Sequence, residues 1–183
     1  MSSTQSLLAI VQHTPPWVWA LLAALLALGL AQARARRVGP TRAALLPAAM
    51  LAWSLWGVAT SFGSAPALLA WAAGASAAAL ATRRLGAPAG TRWSAQAHAF
   101  QLPGSWLPLA LILALFCCKF ATGALLALRP ALGADPAFAT GASLAFGAFS
   151  GVFAGRALAL LRLAPPRASL WPAWAAERQN QRP

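Results

Sequence analysis

Long apolar stretches alternate along the chain with short polar ones, and five apolar runs stand out: Trp17–Gln32, Ala43–Phe62, Pro66–Ala81, Trp106–Leu128 and Phe138–Leu161. At about 1.5 Å of rise per residue, each approaches the length that crosses a ~30 Å hydrocarbon core. The pattern predicts an all-α membrane protein with about five transmembrane helices. The third run is short and follows the second after only a few residues, Ser61–Ser64, so the two form a tight hairpin. Pro16, Pro66, Pro108 and Pro136 lie at or just before the first turn of their runs. A missing N–H costs nothing there, because the first donors of a helix have no partner. Pro47 lies deeper and should bend the second helix.

Between the third and fourth runs, Thr91–Leu102 sets Trp93 and Phe100 on either side of a small polar turn, which predicts a short β-hairpin. An isolated hairpin is marginal in water, so it must lean on helices or headgroups. Before the first run, Leu7, Leu8, Ile10 and Val11 recur at helical spacing within Gln5–His13, as in a surface-lying helix. After the last, arginine, tryptophan and proline mix in an interfacial tail. The expected organisation is a single transmembrane domain over residues 1–163 and a cytoplasmic tail over 164–183.

Composition sharpens this reading. Only 9% of the residues are charged, against about 25% in soluble domains. The net charge of +12 reflects scarcity of acid, since Asp135 and Glu177 are the only carboxylate side chains. The arginines stand in clusters between apolar runs rather than on one polar face, which excludes a nucleic-acid binder. Arg34, Arg36, Arg37 and Arg42 fill the first loop, and Arg83, Arg84 and Arg92 the third. The second loop has none, and the fourth pairs Arg129 with Asp135. Alternate loops are thus basic and nearly neutral, which places the N-terminus outside, and the C-terminus and the hairpin in the cytoplasm. Trp17 and Trp19 mark the outer interface and Trp106 the inner one.

Lys119 is the residue with most chemical potential. It lies near the middle of the fourth run, where a charge costs about 2.5–3.5 kcal/mol and therefore faces protein or water. No carboxylate lies in any span, so hydroxyls are its expected partners. Ser54, Ser76 and Ser150 count to similar depth on their own helices, and Thr122 shares the face of Lys119. These residues form the candidate site, for a small molecule or a lipid headgroup. Arg34, Arg36, Arg37, Arg83, Arg84 and Arg156 are the expected contacts to anionic headgroups on the cytoplasmic side, Arg156 by snorkelling. Gly147, Gly151 and Gly155 repeat every four residues, a spacing that lets another helix backbone approach closely within the bundle.

Catalytic material is lacking. His13 and His98 are expected on opposite sides of the membrane, and Cys117 and Cys118 are adjacent apolar fillers, so no metal set forms. Paired carboxylates, a triad and a phosphate-cradling glycine loop are all missing. The sequence therefore predicts no enzyme, no metal and no cofactor.

Several segments are recognisable together: His13-Thr14-Pro15-Pro16-Trp17-Val18-Trp19, Leu102-Pro103-Gly104-Ser105-Trp106-Leu107-Pro108, Lys119-Phe120 with Gly123, and Gly151-Val152-Phe153-Ala154-Gly155-Arg156. Over Gln12–Leu163 the chain resembles a family of small, uncharacterised bacterial inner-membrane proteins. The resemblance implies the five-helix layout and the bacterial inner membrane, and puts His13, the Pro-Gly-Ser-Trp turn, Lys119 and Arg156 at family motif positions. Phe120 departs from the tyrosine expected beside Lys119. The family carries no activity, so two functions stand: binding of a small molecule or lipid near Lys119, or a structural or accessory subunit. The latter would dock a protein partner, or a second copy, through its helices and basic face.

Overall fold

The computed structural model describes residues 15–164. In chain order they form α1 (Pro16–Gln32), β1 (Arg36–Val38), α2 (Pro40–Ser61), α3 (Ala65–Leu85), β2 (Arg92–Ser94), β3 (Ala99–Leu102), α4 (Leu107–Leu128), a 3-10 turn (Pro130–Ala134) and α5 (Pro136–Leu161). Four helices, α2 to α5, are long and apolar enough to cross a membrane. The shorter apolar helix is α1, whose 17 residues reach about 25 Å. The third run, expected to be short, is instead the 21-residue α3. Hydropathy falls after Ala81, but the helix continues through Arg83 and Arg84, because cations suit the negative end of a helix dipole. Gly86, at φ +81°, then ends it in a conformation that side chains rarely adopt.

Every helix carries a proline in its first two positions. Pro40 starts α2 three residues before the hydropathy onset, which leaves Pro47 inside the helix. Asp135 caps α5, its carboxylate accepting a hydrogen bond from the Ala137 N–H at 2.9 Å. The helix therefore begins at Pro136 rather than at Phe138. The presumed surface helix at Gln5–His13 and the tail beyond Ala164 lie outside the described residues.

Two compact units emerge from the contacts. Among the described residues, the first comprises 15–34 and 105–132, and holds α1 and α4. These helices meet where Gly29 admits the Leu109 side chain. The Ser105 N–H also donates to the Gln32 carbonyl. The second unit comprises 35–104 and 133–164. Here α5 packs most extensively on α3 and less on α2, and Phe62 meets Phe138 edge to face at 6.2 Å beside the α2–α3 turn.

The expected hairpin forms from β2 and β3, with His98 at φ +44° in its turn. It is one half of a larger element, because β1 pairs with the other edge of β3 to give a three-stranded sheet, β1-β3-β2. Three residues in an arginine cluster are too short for a strand signal of period two. Their partner supplies what the local pattern lacks. Val38, Phe100 and Trp93 lie side by side across the three strands. Phe100 is 0% exposed and takes the Trp93 ring edge-on at 4.9 Å. Phe100→Ala should lower stability by about 3–5 kcal/mol, the usual range for a buried aromatic. Thermal unfolding in detergent tests this, and an unchanged midpoint would show that the sheet does not rest on this ring.

Candidate functional site

Lys119 lies in α4, in the first unit, and is an exposed residue. Thr122, half-buried, turns its hydroxyl back on its own helix and donates to the Cys118 carbonyl at 2.9 Å. Gly123, four residues beyond Lys119 and so on its face, looks onto open space: a Cβ there would meet nothing within 4 Å. Phe116 and Phe120 stack at 6.1 Å along the same helix.

The three serines belong to the second unit. Ser54 is buried in α2 and accepts a hydrogen bond from the Trp71 indole of α3 at 3.1 Å. Ser150 is buried in α5 and donates to the Phe146 carbonyl at 2.9 Å. Ser76 is exposed. Two of the three hydroxyls thus already serve bonds internal to this unit. The Trp71–Ser54 bond was not foreseen from sequence, although an indole and a hydroxyl in the two arms of a tight hairpin were a usable signal.

Gly147, Gly151 and Gly155 all face the α3 backbone. A Cβ on them would strike the carbonyls of Trp71, Ala75 and Ala79 respectively. Gly74 answers from α3, where a Cβ would strike the Leu144 carbonyl and come within 3.1 Å of the Ala148 nitrogen. Residue numbers rise together along both helices, so α3 and α5 run parallel. Between such surfaces only glycine leaves room, and the gain is dispersion contact that lipid tails cannot match.

Of the six candidate headgroup arginines, Arg34, Arg37, Arg83 and Arg84 are exposed, whereas Arg36 and Arg156 are half-buried. Arg34 falls in the first unit and the others in the second. Arg36 stands in β1, where burial first, and the positive charge of Arg156 second, draw its guanidinium below the ordinary arginine range. The sequence offered no sign that these two approach each other, since 120 positions separate them. No group of three or more metal-binding side chains occurs among the described residues.

The chain belongs to a family of unknown function, DUF6622, which it matches over residues 2–171. No curated protein and no solved structure matches it.

The glycine contacts make a graded expectation. Gly151→Leu must push α3 and α5 apart, at a cost of about 1–3 kcal/mol from overpacking. Gly141, beside which a Cβ meets nothing within 4 Å, is the control. Gly141→Ala should be neutral or stabilise by up to about 1 kcal/mol, through helix propensity. Unfolding midpoints of the two variants in detergent and in bilayers test the contrast, which fails if both respond alike.

Proposed function

We propose that this is a non-catalytic, multi-pass protein of the bacterial inner membrane that acts as a structural or accessory subunit. It crosses the membrane five times, with the N-terminus periplasmic and the C-terminus cytoplasmic, and docks a protein partner through its helices and basic cytoplasmic face. One observation carries this reading: the two buried hydroxyls of the candidate site are already engaged, Ser54 by the Trp71 indole that ties α2 to α3 and Ser150 by the Phe146 carbonyl of its own helix. A binding pocket keeps polar groups convergent and available. Here they are spent on rigidity.

The parallel course of α3 and α5 supports the topology, because one crossing, α4, must return the chain between them. Loop charge supports the orientation. The charges expected of a catalytic centre are sparse, and Asp135 is occupied as a helix cap.

A second reading, binding of a small molecule or lipid headgroup near Lys119, draws on the open face beside Gly123. Lys119→Met separates the two. As a subunit, the variant keeps or raises its unfolding midpoint, since an intramembrane charge has been removed. Its bound lipids, read by native mass spectrometry, stay as they were. Loss of a co-purifying lipid or small molecule from the variant would favour the second reading.

Topology has its own test. Single cysteines at Arg37 and Ser64, introduced into a chain whose native cysteines are replaced, should be labelled from opposite sides of the membrane by an impermeant maleimide. Labelling of both from one side would rule out the crossing of α2.

A further inference from the structure

The contact between α3 and α5 keeps a fixed register. Gly147, Gly151 and Gly155 face Trp71, Ala75 and Ala79, each glycine opposite the residue numbered 76 lower. Phe138 and Phe62, which meet edge to face, keep the same difference. Between these pairs the register sets Ser143 of α5 opposite Ala67 of α3. Ser143 lies one turn before Gly147, on the face that α5 turns to α3. Both residues are 0% exposed.

Each of the two carries an unsatisfied polar group. The Ser143 hydroxyl has no hydrogen-bond partner among the described residues. Thr60, Thr122 and Ser150 show the usual solution, each donating at 2.9 Å to the carbonyl four residues back in its own helix. Ser143 does not take it. On α3 the difficulty is the first turn, whose N–H groups have no partner within the helix. Ser64, at the N-cap, makes no side-chain bond to it. Ala65 is exposed, and Pro66 has no N–H. The Leu68 N–H reaches the Ser64 carbonyl at 3.1 Å. That leaves the Ala67 N–H, sealed from solvent and without a hydrogen bond among the described residues. Buried donors and hydroxyls are costly to leave unpaired.

We propose that the Ala67 N–H and the Ser143 hydroxyl form a site for one buried water, which caps α3 from the neighbouring helix. The water accepts from the N–H and shares a hydrogen bond with the hydroxyl. Water suits both groups, because it donates as well as accepts and brings no charge into apolar surroundings. Room for it follows from the glycine stripe. A Cβ at the next three stripe positions would strike α3. Ser143 has a Cβ, so the two backbones stand farther apart at its level. An anion would also suit the positive end of the α3 dipole. However, Asp135 holds a carboxylate at the start of the parallel α5, at the same end of the unit, and disfavours one. The site depends neither on the subunit reading nor on the role of Lys119.

Full-length protein crystallised from a lipid phase, at a resolution that shows ordered water, provides the test. One water is expected within about 3 Å of both the Ala67 nitrogen and the Ser143 Oγ. In S143A the water should be lost. The unfolding midpoint of that variant in bilayers should fall by about 2–4 °C, because the Ala67 N–H loses its bridge. S150A removes a hydroxyl that serves its own helix, and should keep the water in place. Should S143A fail to fold, the position in the unaltered protein decides alone. The proposal is overturned if no density lies between the two groups, or if an anion occupies the position. It is equally overturned if the hydroxyl bonds directly to the Ala67 N–H or the Ala139 carbonyl, or if S143A retains the water.

Discussion

Between helices in lipid there is no hydrophobic force to exploit, because a neighbouring acyl chain is as apolar as a leucine. What remains is close contact, and the second unit is organised around one such contact, the approach of the α3 and α5 backbones. Three glycines of α5 and Gly74 of α3 remove the side chains that would hold them apart. Trp71 makes this contact reach further. Its backbone lies against Gly147, while its indole crosses to Ser54 and ties in α2. The same register sets Gly155 against Ala79 and Thr82, and thereby fixes the level at which Arg156 leaves the helix. Packing in the membrane interior and charge placement near its edge are therefore one problem with one solution.

Charge follows from that geometry. Asp135 sits at the start of α5, where a carboxylate suits both the free N–H groups and the positive end of the helix dipole. Arg83 and Arg84 close α3, where cations suit the negative end. Since α3 and α5 are parallel, their C-terminal ends lie at the same end of the unit, and the chain collects Arg83, Arg84 and Arg156 towards that end.

Much of the fold was legible in the sequence, and the boundaries of that legibility are physical. Apolar runs of membrane length announce helices, and the proline at the start of each one is visible. Helix ends were less so: hydropathy stops at Ala81, but the backbone hydrogen-bond ladder runs on to Leu85. Trp93 and Phe100 announced a hairpin, whereas β1 left no trace, because a strand of three residues has no period to detect. Glycines spaced by four can be read as an invitation to close approach, yet spacing cannot name the helix that accepts. Lys119 is conspicuous by depth. Arg36, the more constrained cation, looks like one more member of a loop cluster until strand parity turns it inward.

That parity rests on very little chain. Three strands of three or four residues are too short to persist alone, so their register must come from a buried contact. The row Val38–Phe100–Trp93 supplies it. A slip of β1 by one residue would carry Val38 off the apolar face and exchange Arg36 for Arg37. The exchange would place a different guanidinium inward, one step along the strand. Burial of Phe100 is therefore what selects, among adjacent and chemically identical arginines, the one on the inward face of the sheet. An apolar ring sets the position of a charge, which is why neither the loop charge nor the ring could be understood from the sequence one at a time.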